Sequence, residues 1–321
     1  MFWRLIVLTI LSSLHGCSQP PQIYTPIPEV ERKVSAPAAP RRTIPPQVVI
    51  LASEDIPAYS EVAKALASQM GQRASIVYLS ASQLENLKIV NRLNDEERIQ
   101  IVSIGLNASV AAKKLVNKQV VFCQVYNYQD YALLSPRHKG VSMLPSFAKT
   151  FSTWRAISPG VKNIGVISGP GFDDALQTAR AAARTYGFTL HHEAVSTDKE
   201  YQYAYKNMSK KVQGYWLLPD NRVLSEHILR DIMTFSVRNS KQVVVFNDEL
   251  LRLGGLLSIN SDYQDIAHQV MERLDQAQAK ESIPGPDMVY LDKLNLRINS
   301  VMAQRLNIVI PEQYRKYANA P

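Results

Sequence analysis

Gln47-Val48-Val49-Ile50-Leu51-Ala52, then a stretch from Tyr59 to Met70, then Ser75-Ile76-Val77-Tyr78-Leu79: this passage decides the fold. The two short runs are apolar and β-branched without alternation, which marks strands buried on both faces rather than on one. Between them, apolar residues recur at helical spacing. Strand, helix and strand in that order predict a parallel pair joined by a crossover helix. The alternation continues through a helix near Leu84 to Leu93, a strand Ile101 to Ile104, a helix Ser109 to Val116 and a strand Val120 to Val125. That is one α/β lobe.

The pattern pauses over Tyr126 to Pro145 and then restarts. Asn163 to Ile167 reads as a strand, Asp174 to Tyr186 as an Ala-rich helix, and Thr189 to Val195 as the next strand. Gly214 to Leu218, Val243 to Phe246 and Gly255 to Ile259 extend the series. Two successive sets of parallel units, each of ordinary domain size, predict two Rossmann-like lobes facing across a cleft. The expected division is 47–140 for the first lobe, completed by about 260–285, and 141–259 for the second, completed by about 286–321. Ligands bind open parallel sheets beyond the carboxyl ends of the strands, so the residues just after each strand are the ones to inspect.

Residues 1–16 read as a signal peptide. Met1-Phe2-Trp3-Arg4 carries one positive charge, and the nearly apolar run Leu5 to Leu14 is too short to cross a bilayer, which takes about 20 residues. Leu14-His15-Gly16-Cys17 resembles a lipobox, with Cys17 as the lipid-bearing residue and His15 the one departure. Several lipid chains on one cysteine anchor a protein firmly where one chain does so marginally. Residues 17–46 hold eight of the eighteen prolines among Ser, Ala and Gln with no hydrophobic period, so they read as a tether.

The net charge of +8 falls by one when Arg4 is cleaved off. That is a moderately basic surface, suited to anionic envelope polymers or lipid. No Lys/Arg run with interleaved aromatics appears, so nucleic acid is not an expected partner. With Cys17 lipidated, Cys123 has no partner for a disulfide, and its place in Val120-Val121-Phe122-Cys123 reads as a buried, inert thiol. There is no Gly-x-Ser-x-Gly elbow and no phosphate loop ending in Gly-Lys-Ser/Thr. His191 and His192 are adjacent on a strand, so they point to opposite faces and do not chelate one metal together. Catalysis, metal and cofactor are therefore not expected.

Five stretches, in order, resemble the ABC-transporter substrate-binding protein family with the type I periplasmic binding protein architecture. They are Ile104 to Lys114, Ser158 to Ile167, Leu217 to Asn221, Val243 to Glu249, and Leu296 to Asn299 with the close Ala303 to Pro311. The resemblance covers nearly all of Gln47 to Tyr317. The loops Ala52 to Pro57 and Val125 to Tyr128 depart from the family's usual wording. The resemblance implies a receptor that closes two lobes on a small, amino-acid-like ligand and presents it to a permease.

Candidate ligand residues follow from the strand ends. Ser53 and Glu54 end the first strand. Asn107 and Ser109 flank a helix start, where free N–H groups suit a carboxylate, although either residue equally serves as a cap. Tyr126 and Asn127 end the last strand of the first lobe, where aromatic faces either hold a planar ligand or pack. Ser168 opens Ser168-Gly169-Pro170-Gly171-Phe172, whose single Gly-x-Gly reads as a plain turn admitting a ligand rather than as a dinucleotide fingerprint. Asp220 with Asn221, and Asn247 with Asp248, offer acceptors for an ammonium or hydroxyls, with helix capping as the alternative for Asp220. The expectation is an extracytoplasmic, lipid-anchored solute-binding protein of an uptake system. The alternative is an envelope sensor or assembly module on the same fold. Ser18 after the lipid-bearing cysteine places it on the periplasmic face of the outer membrane if the source has two membranes.

Overall fold

The computed structural model describes residues 47–277 and 282–319. The signal peptide, Cys17 and the tether lie outside the described residues.

The first sheet is wholly parallel. Its strands are β1 (Gln47–Ala52), β2 (Ala74–Tyr78), β3 (Ile99–Ile104), β4 (Val120–Cys123), β5 (His138–Pro145) and β11 (Met288–Leu291), in the spatial order β11-β5-β4-β3-β1-β2. β3 is buried at every position and β1 at all but its first, as strands covered on both faces must be. Helices α1 (Pro57–Met70) and α8 (Tyr263–Ala277) cover one face through Val62, Leu66, Val270 and Leu274. Helices α2 (Gln83–Asp95) and α3 (Leu106–Ala112) cover the other through Val90, Leu93 and Ala108. Each such Val or Leu side chain contributes roughly 1.5–3 kcal/mol on burial.

The second sheet runs β13-β12-β10-β9-β8-β6-β7. Its strands are β6 (Asn163–Ser168), β7 (Thr189–Ala194), β8 (Gly214–Trp216), β9 (Gln242–Val245), β10 (Leu257–Asn260), β12 (Asn295–Asn299) and β13 (Ala318–Asn319). Only the β10–β12 pair is antiparallel. One face packs on α4 (Phe147–Ile157), α5 (Asp173–Thr185) and α9 (Ser300–Arg305), with Phe188 in tilted ring contacts with Phe151 and Trp154. The other packs on α6 (Asp198–Met208) and α7 (Glu226–Arg238), where Tyr205 stacks on Tyr215 and shares a 2.7 Å hydrogen bond with Ser236. Mixed α/β with two sheets that are parallel or nearly so is the two-lobed, type I periplasmic binding protein architecture.

The chain passes between the sheets three times: from β5 to α4, from β10 to α8, and from β11 to β12. The crossings lie side by side. Ser146 donates its N–H to the Leu291 carbonyl at 3.0 Å, and Ser261 Oγ donates to the Lys293 carbonyl at 3.0 Å. This topology differs from the division read from sequence in two places. β5 extends the first sheet to Pro145, past 140, and β11 adds 288–291 to the first sheet rather than to the second. β5 lacks a strand signature in sequence, because it carries His138, Lys139, Gly140 and Ser142 in place of a β-branched run, and Lys139 is neutralised by an ion pair with distant Asp287.

Candidate functional site

The carboxyl ends of the strands of both sheets face a common seam, and loops from each lobe meet there. In the first lobe, Gln124 adopts a left-handed conformation, φ 57°, just after β4. Such a turn, unusual for a residue with a side chain, redirects the chain so that Tyr126 to Asp130 lie along the seam. In the second lobe, Gly169 to Phe172 follow β6, and Asp220 to Arg222 follow β8.

Asp220 is only 2% exposed, yet it is fully partnered. Gly169 donates its backbone N–H to Oδ2 at 3.0 Å, and the Arg222 guanidinium forks onto the carboxylate through Nε to Oδ1 and Nη2 to Oδ2, both 2.8 Å. Arg222 also donates to the Pro170 carbonyl at 2.8 Å, which locks the two loops of the second lobe together. Its Nη1 then reaches across the seam to within 3.6 Å of Asp130 Oδ2. Asp130 sits against Gly171, where a Cβ would stand 2.8 Å from the carboxylate oxygens, and φ of +83° favours glycine there.

Two further contacts cross the seam. Gln129 donates to Asp174 of α5, and the Tyr126 ring lies 5.8 Å from that of Phe172. The Tyr126 hydroxyl is buried and has no hydrogen-bond partner among the described residues. Its pKa is pushed well above the usual phenol value, first by burial and then by the neighbouring Asp220 charge and by Tyr59. A buried donor without an acceptor costs about 1–3 kcal/mol.

The other residues singled out from the sequence separate into seam, support and surface. Ser53 accepts the Ala108 N–H at 2.9 Å and so caps α3 from the β1 loop. Ser109 faces the sheet, not the seam: its hydroxyl donates to the Gly105 carbonyl and meets Ser103 Oγ at 3.0 Å. The helix begins at Leu106, three residues before the sequence-based start, which puts Ser109 inside its first turn. Asn107 is exposed and, with Ser53, lines a cavity of about 500 Å³ between α2 and α3. Glu54 is exposed near Tyr59, whose pKa is raised by burial and by that carboxylate. Asn127 donates to Asp130 at 3.3 Å. Ser168 bonds His192 Nε2 at 3.0 Å, while His191 turns the opposite way to Asn163. Asn221 is exposed on its turn. Asn247 caps the 3₁₀ turn Asp248–Leu253 by accepting the Glu249 N–H, and Asp248 is held by Ser258, Asn260 and Arg297 at 2.6–2.9 Å.

Both carboxylates expected to stand free for a ligand ammonium are thus already bound to an arginine of their own lobe. The residues that the sequence reading missed are Asp130, Arg222, Gln129 and Phe172. Arg222 had a signal, since a cation two residues beyond a strand-end aspartate is placed to fork onto it.

A family model described as ABC transporter substrate binding protein matches residues 62–320. The chain belongs to the ABC transporter substrate-binding protein family. No curated protein matches it. Among solved structures, a conserved domain protein from Vibrio cholerae is 20% identical with a TM-score of 0.60, covering 86% of this chain and 99% of that one. An ABC domain from Streptococcus pneumonia in complex with L-Trp gives the same figures. A ligand-free, open substrate-binding protein with adhesive properties from Clostridium difficile is 15% identical with a TM-score of 0.63, again over 86% and 99%. At these identities the likeness concerns the fold. At the seam around Arg222 and Asp130, both lobes contribute charge.

Proposed function

We propose that this is an extracytoplasmic, lipid-anchored receptor that closes its lobes on a small zwitterion, amino-acid-like in character, for an ABC-type permease. The observation that carries the ligand class is the pairing of opposite charges from opposite lobes, Arg222 against Asp130. A ligand with its own carboxylate and ammonium replaces that pair with two, the carboxylate on Arg222 and the ammonium on Asp130. The unpartnered Tyr126 hydroxyl supplies a donor beside them. The solved relative in complex with L-Trp supports the same class. Asn127 and Asn221 stand on the seam loops, Ser53 and Asn107 line the cavity between α2 and α3, and Asp220 acts through the arginine that it holds.

The test is a thermal-shift screen of amino acids, small peptides and nucleosides. A ligand at a hundredfold excess over its dissociation constant stabilises the closed form by about 2.7 kcal/mol. A hit that survives both Asp130→Ala and Tyr126→Phe places the site elsewhere. Anchoring is tested separately: a fatty-acid probe should label the wild type and not Cys17→Ser. A second reading, an envelope sensor or assembly module, is favoured by the protein's own side chains already bridging the seam at Gln129–Asp174. A screen without hits, together with no permease gene nearby, supports that reading instead.

A further inference from the structure

At the edge of the second sheet where β10 begins and β12 ends, the end opposite the seam, lies a cavity of about 580 Å³. Three arginines line it: Arg238 from the last turn of α7, Arg252 from the 3₁₀ turn, and Arg305 from the last turn of α9. Among the described residues, no carboxylate belongs to the lining. All three arginines are exposed, and among the described residues none makes an ion pair or side-chain hydrogen bond.

Some helical cations in this protein are neutralised locally, while others, such as Arg92 on α2 and Arg184 on α5, stand singly in solvent. On α7 itself, Arg230 pairs with Glu226 one turn earlier at 2.6 Å, and Lys64 and Lys88 pair in the same way on α1 and α2. One turn before Arg238 stands Thr234, and one turn before Arg305 stands Val301, both neutral. A cation near a helix C-terminus is favoured by the helix dipole, which accounts for each arginine singly. It does not account for three lining one cavity together.

The cavity is firmly built. Gly254, at φ +105°, ends the 3₁₀ turn against α7 so closely that a Cβ would lie 2.2 Å from Val237 Cγ2. Asn299, which is buried, accepts the Met302 N–H and donates to the Leu251 carbonyl at 2.9 Å, tying the start of α9 to that same turn. Val301, 56% exposed, adds an apolar rim. Guanidinium groups held on fixed supports suit the paired oxygens of a phosphoryl group better than flexible ammonium groups do.

We propose that this cavity binds a phosphate-bearing ligand: an anionic phospholipid headgroup or a soluble phosphate ester. The chemistry is the same for both, and the experiment separates them. The full chain and its triple variant Arg238→Gln, Arg252→Gln, Arg305→Gln are compared in two arms, so the N-terminal segment contributes equally to every sample. In the first arm, binding to vesicles of equal parts phosphatidylglycerol and phosphatidylcholine is measured against pure phosphatidylcholine at about 0.1 M salt. A lipid site predicts a preference for the anionic vesicles that falls by on the order of fivefold per arginine removed. In the second arm, glycerol phosphate is added at constant ionic strength, and a soluble-ester site predicts a rise in melting temperature in the wild type alone. The corresponding triple Arg→Lys variant retains the charge, and stronger binding than the Gln variant shows that the loss is not a folding defect. Wild type and Gln variant behaving alike in both arms overturns the proposal.

Discussion

Arg222 of the second lobe and Asp130 of the first face each other at 3.6 Å, and the same guanidinium forks onto buried Asp220 behind it. One side chain therefore serves two carboxylates with different duties. Asp220 fixes the arginine within its own lobe, and Asp130 tests whether the lobes are together.

That division separates two substitutions. Asp130→Asn removes only the pair across the seam, in which both side chains are partly exposed, so it should cost about 0.2–1 kcal/mol of closure and leave the unfolding midpoint nearly unchanged. Arg222→Ala also strands a buried carboxylate and should cost about 2–3 kcal/mol of stability, less than a fully buried pair because the guanidinium is itself part-exposed. Solution scattering reads the closure and urea unfolding reads the stability. Equal stability losses for the two would contradict the assignment.

Tyr126→Phe deletes a buried hydroxyl without a partner. The ligand-free protein should become more stable by up to about 1–2 kcal/mol, since the variant no longer buries an unmade hydrogen bond. Any ligand that uses the hydroxyl should bind more weakly to the same variant. Unfolding with and without the ligand measures both, and a destabilised ligand-free variant would mean that the hydroxyl is satisfied after all.

Burial lowers the pKa of His192 and of His138 below the usual imidazole value; for His192 the Arg180 charge lowers it further. The folded state thus takes up these protons less readily than the unfolded chain. The contribution is fully present above about pH 6.5, the unfolded value, and is lost as pH falls from there through the folded pKa values. Urea midpoints between pH 7.5 and 5 should fall, and the fall should shrink in a His138→Asn, His192→Asn double variant.

Cys123 lies at the end of β4, fully buried, with its thiol pushed up to about 12 by desolvation. Thiolate, the reactive form, is then scarce at pH 8. Ellman's reagent should label Cys123 only under denaturing conditions, and rapid labelling of the folded protein would refute the buried placement.

How much of this was legible follows from where each residue's partners lie. Val48 to Leu51 and Ile101 to Ile104 announce themselves because a strand covered on both faces is apolar at every position, a local signal. β5 does not, since Lys139 is acceptable there only through Asp287, 148 residues away. At the site, Asp220 stands where strand-end reasoning puts a ligand residue, but its occupation by Arg222 is set by the side-chain fork and not by position. Asp130 falls in the stretch 126–145, which shows no period, and it acquires meaning only from Gly171 and Arg222 in the other lobe. Loops carry recognition, and loops carry no repeat to read.

The threefold passage of the chain between the sheets also constrains how the protein comes into being. The first lobe is not a contiguous piece of polypeptide: β11 lies some 150 residues beyond its neighbour β5, and α8 packs on α1 across about 200. During synthesis its central strands emerge early, yet the apolar seat of α8, formed by Val62, Leu66 and Val48, stays uncovered until residue 277 has followed. Contacts so distant in sequence form slowly and leave sticky surface open meanwhile. The second lobe, inserted between the halves of the first, is able to assemble most of its sheet sooner. A nascent chain interrupted between β10 and α8 therefore presents the second lobe nearly built and the first with its hydrophobic face bare, the form that a chaperone or protease would find first.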